Sequence, residues 1–198
     1  MKYILIVLMV FVNSVKSFGQ NDLEMEIISD LVKNYFVQKP NDTIFTRKGK
    51  IKKIKTFSNN IILVTETDTS YRSKVSFEYL SEFMTKIDVN SLQDFFTKNK
   101  SIIKIDSIHG FNGTITYMTN SEIKKIFDKG GRKAYQKLYG YDPIVRISRP
   151  GINSDENIAF IYLSMIDGGG SGIGFILFLE KIYGIWVSKE IALAWEGY

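Results

Sequence analysis

The last third of the chain constrains the fold most. Three segments, "NIAFIYLSMI" (Asn157 to Ile166), "IGFILFLEKI" (Ile173 to Ile182) and "IWVSKEIALAW" (Ile185 to Trp195), follow one another with only a few residues between them. They are rich in β-branched and aromatic residues, the composition of strands. In the first, Ile158, Phe160 and Tyr162 point one way and Ala159, Ile161 and Leu163 the other. Apolar side chains on both faces mark a central strand. In the third, strict alternation puts Ile185, Val187, Ile191, Leu193 and Trp195 on one face and Ser188, Glu190 and Glu196 on the other, the pattern of a half-exposed strand. Links this short join antiparallel neighbours, so the segments form a meander.

A sheet that is apolar on both faces needs cover, and the upstream chain offers helices. "DLEMEIISDLVKNYFV", Asp22 to Val37, repeats apolar residues at helical spacing, and "KPND" ends it. "SFEYLSEFMTK" (Ser76 to Lys86) and "NSLQDFFTKN" (Asn90 to Asn99) each carry an apolar face, with Ser91 and Asp94 approximating a capping box. Thr119 to Glu122 is a full [ST]-x-x-E box opening "NSEIKKIF", and Gly130-Gly131 breaks that helix before a second short one ending at Tyr139. Strands are expected in the run around Ile51 and Ile54, in Ile61 to Glu66, in Ser101 to Ile108 and in Gly113 to Thr119, with "HGFN" turning between the last two. The expected fold is therefore α+β: N-terminal and central helices packed on a mainly antiparallel sheet that ends in a three-stranded meander.

The start, "MKYILIVLMVFVNSVKSFGQ", has a cationic residue, a ten-residue apolar run and then small and polar residues, the layout of a signal peptide over residues 1–19. The apolar run is half the length a spanning helix needs. Export, periplasmic or secreted, is the expectation, with residues 20–198 as one α+β domain. There is no cysteine, so stability must come from a core, which 44% hydrophobic and 14% aromatic residues can supply. Without Lys2 and Lys16 the formal charge falls from +5 to +3, too mild to imply nucleic acid. The basic residues bunch in "RKGKIKKIK", Arg47 to Lys55, which reads as a solvated edge.

"DGGGSGIG", Asp167 to Gly174, has five glycines in eight residues. A dinucleotide fingerprint fails because Ile173 or Phe175 stands where the third glycine belongs and a strand, not a helix, follows. A phosphate loop fails because the next lysine is Lys181, and a nucleophile elbow fails because Ile173 replaces the closing glycine after Ser171. A hairpin loop is the reading that remains, with Asp167, Gly170 and Ser171 as candidate ligand contacts should the loop amides cradle an anion. Trp186 and Trp195 are further binding candidates, because rings on adjacent strands opposite aromatic helices either fill the core or line an apolar cavity.

For catalysis the one candidate is His109, the only histidine, with Asp106 three residues before it and Ser107 between them. One histidine and no cysteine leave a zinc site short of ligands, and "ETDTSY", Glu66 to Tyr71, departs from a calcium loop at Tyr71 and again at Phe77. No cofactor is expected.

From Ser101 to Trp195 the chain resembles a group of uncharacterised exported bacterial proteins. The resemblance rests on Ser148, Arg149, Asn153, the loop from Gly168 to Gly174, Leu179, Lys181, Gly184, Trp186 and Trp195, with "SEIKKIFDKGGRKAYQKLYG" as a helical lead-in. That group often has cysteines around the glycine loop and an Asn-Gly hairpin where this chain has Tyr183-Gly184. The resemblance implies export and a helix-plus-meander domain, and no catalytic residue. The functional expectation is a non-enzymatic extracytoplasmic binding or interaction module whose partner is an envelope component, a protein or a small apolar ligand. The alternative is a small hydrolase using His109 with a nearby carboxylate.

Overall fold

A computed structural model describes residues 22–34, 44–45, 51–52, 60–70, 76, 79–80, 84, 87–168 and 170–197. In chain order these form helix α1 (22–34), strands β1 (Ile44–Phe45), β2 (Ile51–Lys52) and β3 (Asn60–Val64), helix α2 (Val89–Lys98), β4 (Thr114–Met118), helix α3 (Asn120–Tyr139), β5 (Ile144–Ile147), β6 (Gly151–Ile152), β7 (Ile158–Ile166), β8 (Gly172–Ile182) and β9 (Ile185–Gly197). The expected signal peptide, most of the basic run, Tyr35, Phe36, Tyr71, Phe77 and Phe83 lie outside the described residues. β1 and β2 pair antiparallel as a separate two-stranded sheet.

The main sheet has the order β4-β3-β5-β7-β8-β9, with β6 also pairing with β7. The meander β7-β8-β9 is antiparallel throughout, as its short links require. β3 runs parallel to both β4 and β5, because each connection in this half contains a helix long enough to carry the chain back to the same end. The fold is α+β on a mixed, mostly antiparallel sheet.

Both faces of the sheet are covered. α1 buries Ile27, Ile28, Leu31 and Val32 against Leu63, Val145, Ile161, Leu177 and Trp186 on one face. On the other, α2 sets Leu92 and Phe95, with Leu80 and Met84, against Phe160, Tyr162, Ile176 and Phe178. α3 covers Ile62, Val64 and Ile144 on that same face through Ile123 and Tyr135. β7 is buried on both sides, as its two-faced apolar pattern requires.

α3 starts where the sequence places it. The Thr119 hydroxyl accepts from the Glu122 N–H at 3.2 Å, and the Glu122 carboxylate accepts from the Thr119 N–H at 2.7 Å. The bond from the Thr119 N–H, with a second from the Thr119 hydroxyl at 2.8 Å, holds the Glu122 carboxyl below its ordinary range. Thr119→Ala removes one half of this reciprocal cap and is expected to lower stability by about 1 kcal/mol in urea unfolding. The Gly-Gly break is also present: Gly131 sits at φ 59° and turns the second half of α3. That redirection brings Tyr135 into the core between Phe127 and Tyr139, its hydroxyl donating to the Asp142 carbonyl at 2.6 Å.

A buried charge network pins α1 to the rest. Glu24 of α1 is wholly buried and accepts from Arg149 Nε and Nη2, both at 3.0 Å. Lys98 Nζ lies 3.3 Å from Glu24 and 2.7 Å from Asp94. Asn99 clasps the Arg149 backbone on both sides, donating to its carbonyl at 2.7 Å and accepting from its N–H at 2.8 Å.

Three expectations need correction. Residues 101–108 form no strand; a single bridge, Lys104 to Glu66, is all that pairs there. The cap of α2 is Asp88, whose side chain accepts from the Ser91 N–H at 2.7 Å, so Ser91 donates to the cap and is not itself the cap. In β9 the expected common apolar face does not exist: Ile185, Val187, Ile191 and Leu193 are all exposed, while Trp186 is buried in the α1 cluster and Ala192 in the α2 cluster on the opposite face. Register shifts opposite Phe178/Leu179 and Gly174/Phe175 leave Lys189 and Ala194 unpaired, and each extra residue flips the alternation that follows.

Candidate functional site

His109 lies at the rim of an open groove of about 740 Å³ between α1 and residues 103–109. α1 presents Asp22, Glu26 and Asp30 to it at one-turn spacing, with Met25, Ser29 and Lys33 alongside, and Ile103, Lys104, Asp106, Ser107 and His109 face them. The groove exists because residues 103–105 are tied to the chain just after β3, Thr67 N–H donating to the Ile103 carbonyl at 3.0 Å and Ile105 N–H to the Thr65 carbonyl at 2.7 Å. His109 Nε2 lies 3.3 Å from Ser107 Oγ. Asp106 pairs with Lys104 at 3.1 Å, so the carboxylate nearest in sequence is engaged away from the imidazole. The four carboxylates and two lysines of the lining leave the groove net negative.

Trp186 and Trp195 sit on opposite faces of the sheet. The Trp186 ring is core, its Nε1–H donating to Glu26 at 3.1 Å beneath the Lys181 ammonium, which lies 5.4 Å from the ring centroid and 2.8 Å from the same carboxylate. Trp195 is half-buried and donates from Nε1 to the Tyr162 hydroxyl at 2.6 Å. Phe160 and Phe178 meet edge-on at 5.3 Å beside it, so these rings fill space and pack the core.

The glycine loop is a tied hairpin. Asp167 closes it three ways: its N–H donates to the Ser171 carbonyl, its carbonyl accepts from the Gly170 N–H and its carboxylate accepts from the Ser171 N–H, each at 2.9 Å. The amides of Gly170 and Ser171 that an anion would need are therefore already spent. The glycines at the loop's exit serve Trp195: a Cβ on Gly174 would come within 2.2 Å of the Trp195 indole nitrogen.

No family model, curated protein or solved structure matches this chain. Its site must be read from its own geometry. Among the described residues no three His, Asp or Glu side chains are arranged to hold a metal ion, and no helix is long and apolar enough to cross a membrane.

One polar constellation was not visible in the sequence. On the face that carries α2 and α3, Glu66, Asp68, Arg146, the Tyr162 hydroxyl and Ser164 lie in a strip between the two apolar clusters. Glu66 accepts from the Asn120 N–H at 2.9 Å, and Arg146 donates to the Asn120 side-chain carbonyl. Burial pushes the Tyr162 phenol up, opposed by the bonds from Trp195 and Ser164 and reinforced by the Asp68 charge. These residues come from four segments brought together by the parallel pairing of β3 with β4 and β5 and the antiparallel pairing of β5 with β7, which local patterns do not encode. The available signal was Arg146 in "PIVRISRP" and Ser164 in "IYLSMI", polar residues interrupting otherwise apolar strands.

Proposed function

We propose that the chain is an exported, extracytoplasmic binding module and that the groove between α1 and residues 103–109 takes its ligand. The groove is the observation that carries this reading: it is large enough for a small molecule or a peptide side chain, and its lining is mixed and net negative. Such a lining suits a polar or cationic ligand, a basic peptide or an envelope component with free amines, better than a small apolar one. The signal-peptide layout of residues 1–19 supports the compartment.

Native mass spectrometry of the mature protein from its own envelope fraction tests this. A co-purifying species whose occupancy falls on Asp30→Ala supports the groove; a species unaffected by Asp30→Ala and by Asp106→Ala removes it as the site.

A hydrolase is the second reading, favoured by the Ser107–His109 contact inside the groove. Hydrolysis by that pair needs an acid to orient the imidazole, and Asp106 is turned to Lys104. His109→Ala is expected to leave ligand occupancy within about threefold, a ratio worth less than 1 kcal/mol. A turnover on ester or amide substrates whose pH–rate profile disappears in His109→Ala would replace the binding reading with the enzymatic one.

A further inference from the structure

A sheet face that is apolar at both ends and polar in the middle calls for a physical reason. Beneath α2 the face is Phe160, Ile176 and Phe178; beneath α3 it is Ile62, Val64 and Ile144. Between them the polar strip occupies the carboxyl ends of the parallel strands: Glu66 and Asp68 follow β3, Asn120 follows β4, and Arg146 lies near the end of β5 beside Ser164 of β7. Sheets with parallel strands bind ligands at this end, where the chain leaves the sheet and helices part.

Most of the strip is internally satisfied through Asn120 and Trp195. Asp68 is the exception. Its backbone is fixed by the Ile147 carbonyl at 2.8 Å, and Oδ1 accepts from the Ser70 N–H at 2.8 Å. Oδ2 is buried with no hydrogen-bond partner among the described residues, and the residue is only 8% exposed. Buried polar atoms are almost always paired, and an ionised carboxylate is the costliest to leave bare. The strip nevertheless meets solvent, because Glu66, Arg146 and Trp195 are half-exposed and Asn120 is exposed.

We propose that this strip is a second ligand site, on the face of the sheet opposite α1, for a small molecule carrying a protonated nitrogen that donates to Asp68 Oδ2. Glu66, Asp68 and Arg146 together carry one net negative charge, which a monocation neutralises. One short charge-assisted bond satisfies an ammonium or guanidinium, whereas a hard metal ion needs several oxygen ligands. Trp195 and Tyr162 form the wall, and Gly174 leaves them room.

The two tryptophans make the test direct. The Trp195 indole N–H reports on the strip, and the Trp186 indole N–H, bonded to Glu26 of the α1 groove, reports separately on that groove. In ¹H–¹⁵N spectra of the protein, ethylammonium, butylammonium and benzylammonium are titrated, with butyrate as the anionic control. At least one ammonium should shift the Trp195 signal saturably, with a midpoint of its own whether or not Trp186 moves, and butyrate should have no effect. Asp68→Asn keeps an acceptor for Ser70, and should weaken that binding at least tenfold while leaving the melting temperature equal or higher, since an unpaired buried charge is removed. Three results overturn the proposal: no ammonium moves Trp195, the shift persists in Asp68→Asn, or Asp68→Asn fails to fold, which would make the carboxylate a structural element. None of these bears on the α1 groove, whose ligand is tested by Asp30 and Asp106.

Discussion

Replacing Arg149 with alanine lowers the unfolding free energy by about 3–5 kcal/mol, the cost of breaking a buried ion pair by removing one partner. The size follows from Glu24, which is wholly buried on α1 and holds Arg149 by two parallel bonds of 3.0 Å. Without the guanidinium, Glu24 retains only the Lys98 ammonium at 3.3 Å, and Lys98 is shared with Asp94. α1 must then either keep an under-compensated carboxylate in the core or lift away and expose Ile27, Ile28 and Val32. Urea unfolding reads the difference: a lower midpoint with an unchanged slope means lost stability, and a reduced slope means that α1 is already detached in the folded state. Lys124→Ala, which breaks an exposed pair with Asp128, is the control and should change stability by no more than about 1 kcal/mol. The double replacement Glu24→Leu/Arg149→Met is expected to recover much of the loss, because a buried pair is often matched by apolar residues of similar volume. A cost below about 1 kcal/mol for Arg149→Ala would mean that the network does not anchor α1.

The features legible in the sequence were those set by neighbours along the chain. The meander needed only apolar segments and short links; the α3 cap needed only Thr119 and Glu122; the turn inside α3 needed only Gly130-Gly131. What escaped depends on partners far away or on single extra residues. Strict alternation assigns β9 an inner face that Lys189 and Ala194, unpaired at the two register shifts, undo. Ser101 to Ile108 has the composition of a strand, yet the edge it would need beside β3 is taken by β4 and β5. The polar strip was hidden for the same reason, because parallel pairing of β3 with β4 and β5 and antiparallel pairing of β5 with β7 assemble it from segments as much as about 100 residues apart. The residues behind the resemblance to exported bacterial proteins are mostly builders of this frame. Ser148 accepts from the Tyr162 N–H, Asn153 organises the turn into β7, and Trp186 docks α1. Tyr183-Gly184 occupies the positive-φ pair that a two-residue hairpin demands, which is why an Asn-Gly would serve equally well there.

Gly151→Ala is expected to cost at least about 3 kcal/mol, at the top of the range for overpacking. A methyl group on Gly151 would sit 2.1 Å from the Phe95 backbone nitrogen and 2.3 Å from its Cα, so the collision is with the helix backbone and no rotamer change relieves it. Nor can α2 retreat freely. Asp94, one residue before Phe95, accepts from the Ile152 N–H at 2.8 Å, and Asn99 at the other end of α2 clasps Arg149. The same bonds that hold α2 against β6 therefore convert a single methyl into strain across the helix, and Phe95 must leave the cluster with Phe160 and Phe178 if α2 moves. Gly184→Ala separates this from backbone conformation: φ there is +81° but the space is open, so about 1–2 kcal/mol is expected. Urea midpoints for the two variants test the ordering, and equal costs would refute the close-approach argument. Because α2 and α3 flank the Asp68 strip, Gly151→Ala should also shift the Trp195 indole resonance in the absence of any ligand while leaving Trp186 in place. That links a glycine in a two-residue strand to the geometry of the proposed site.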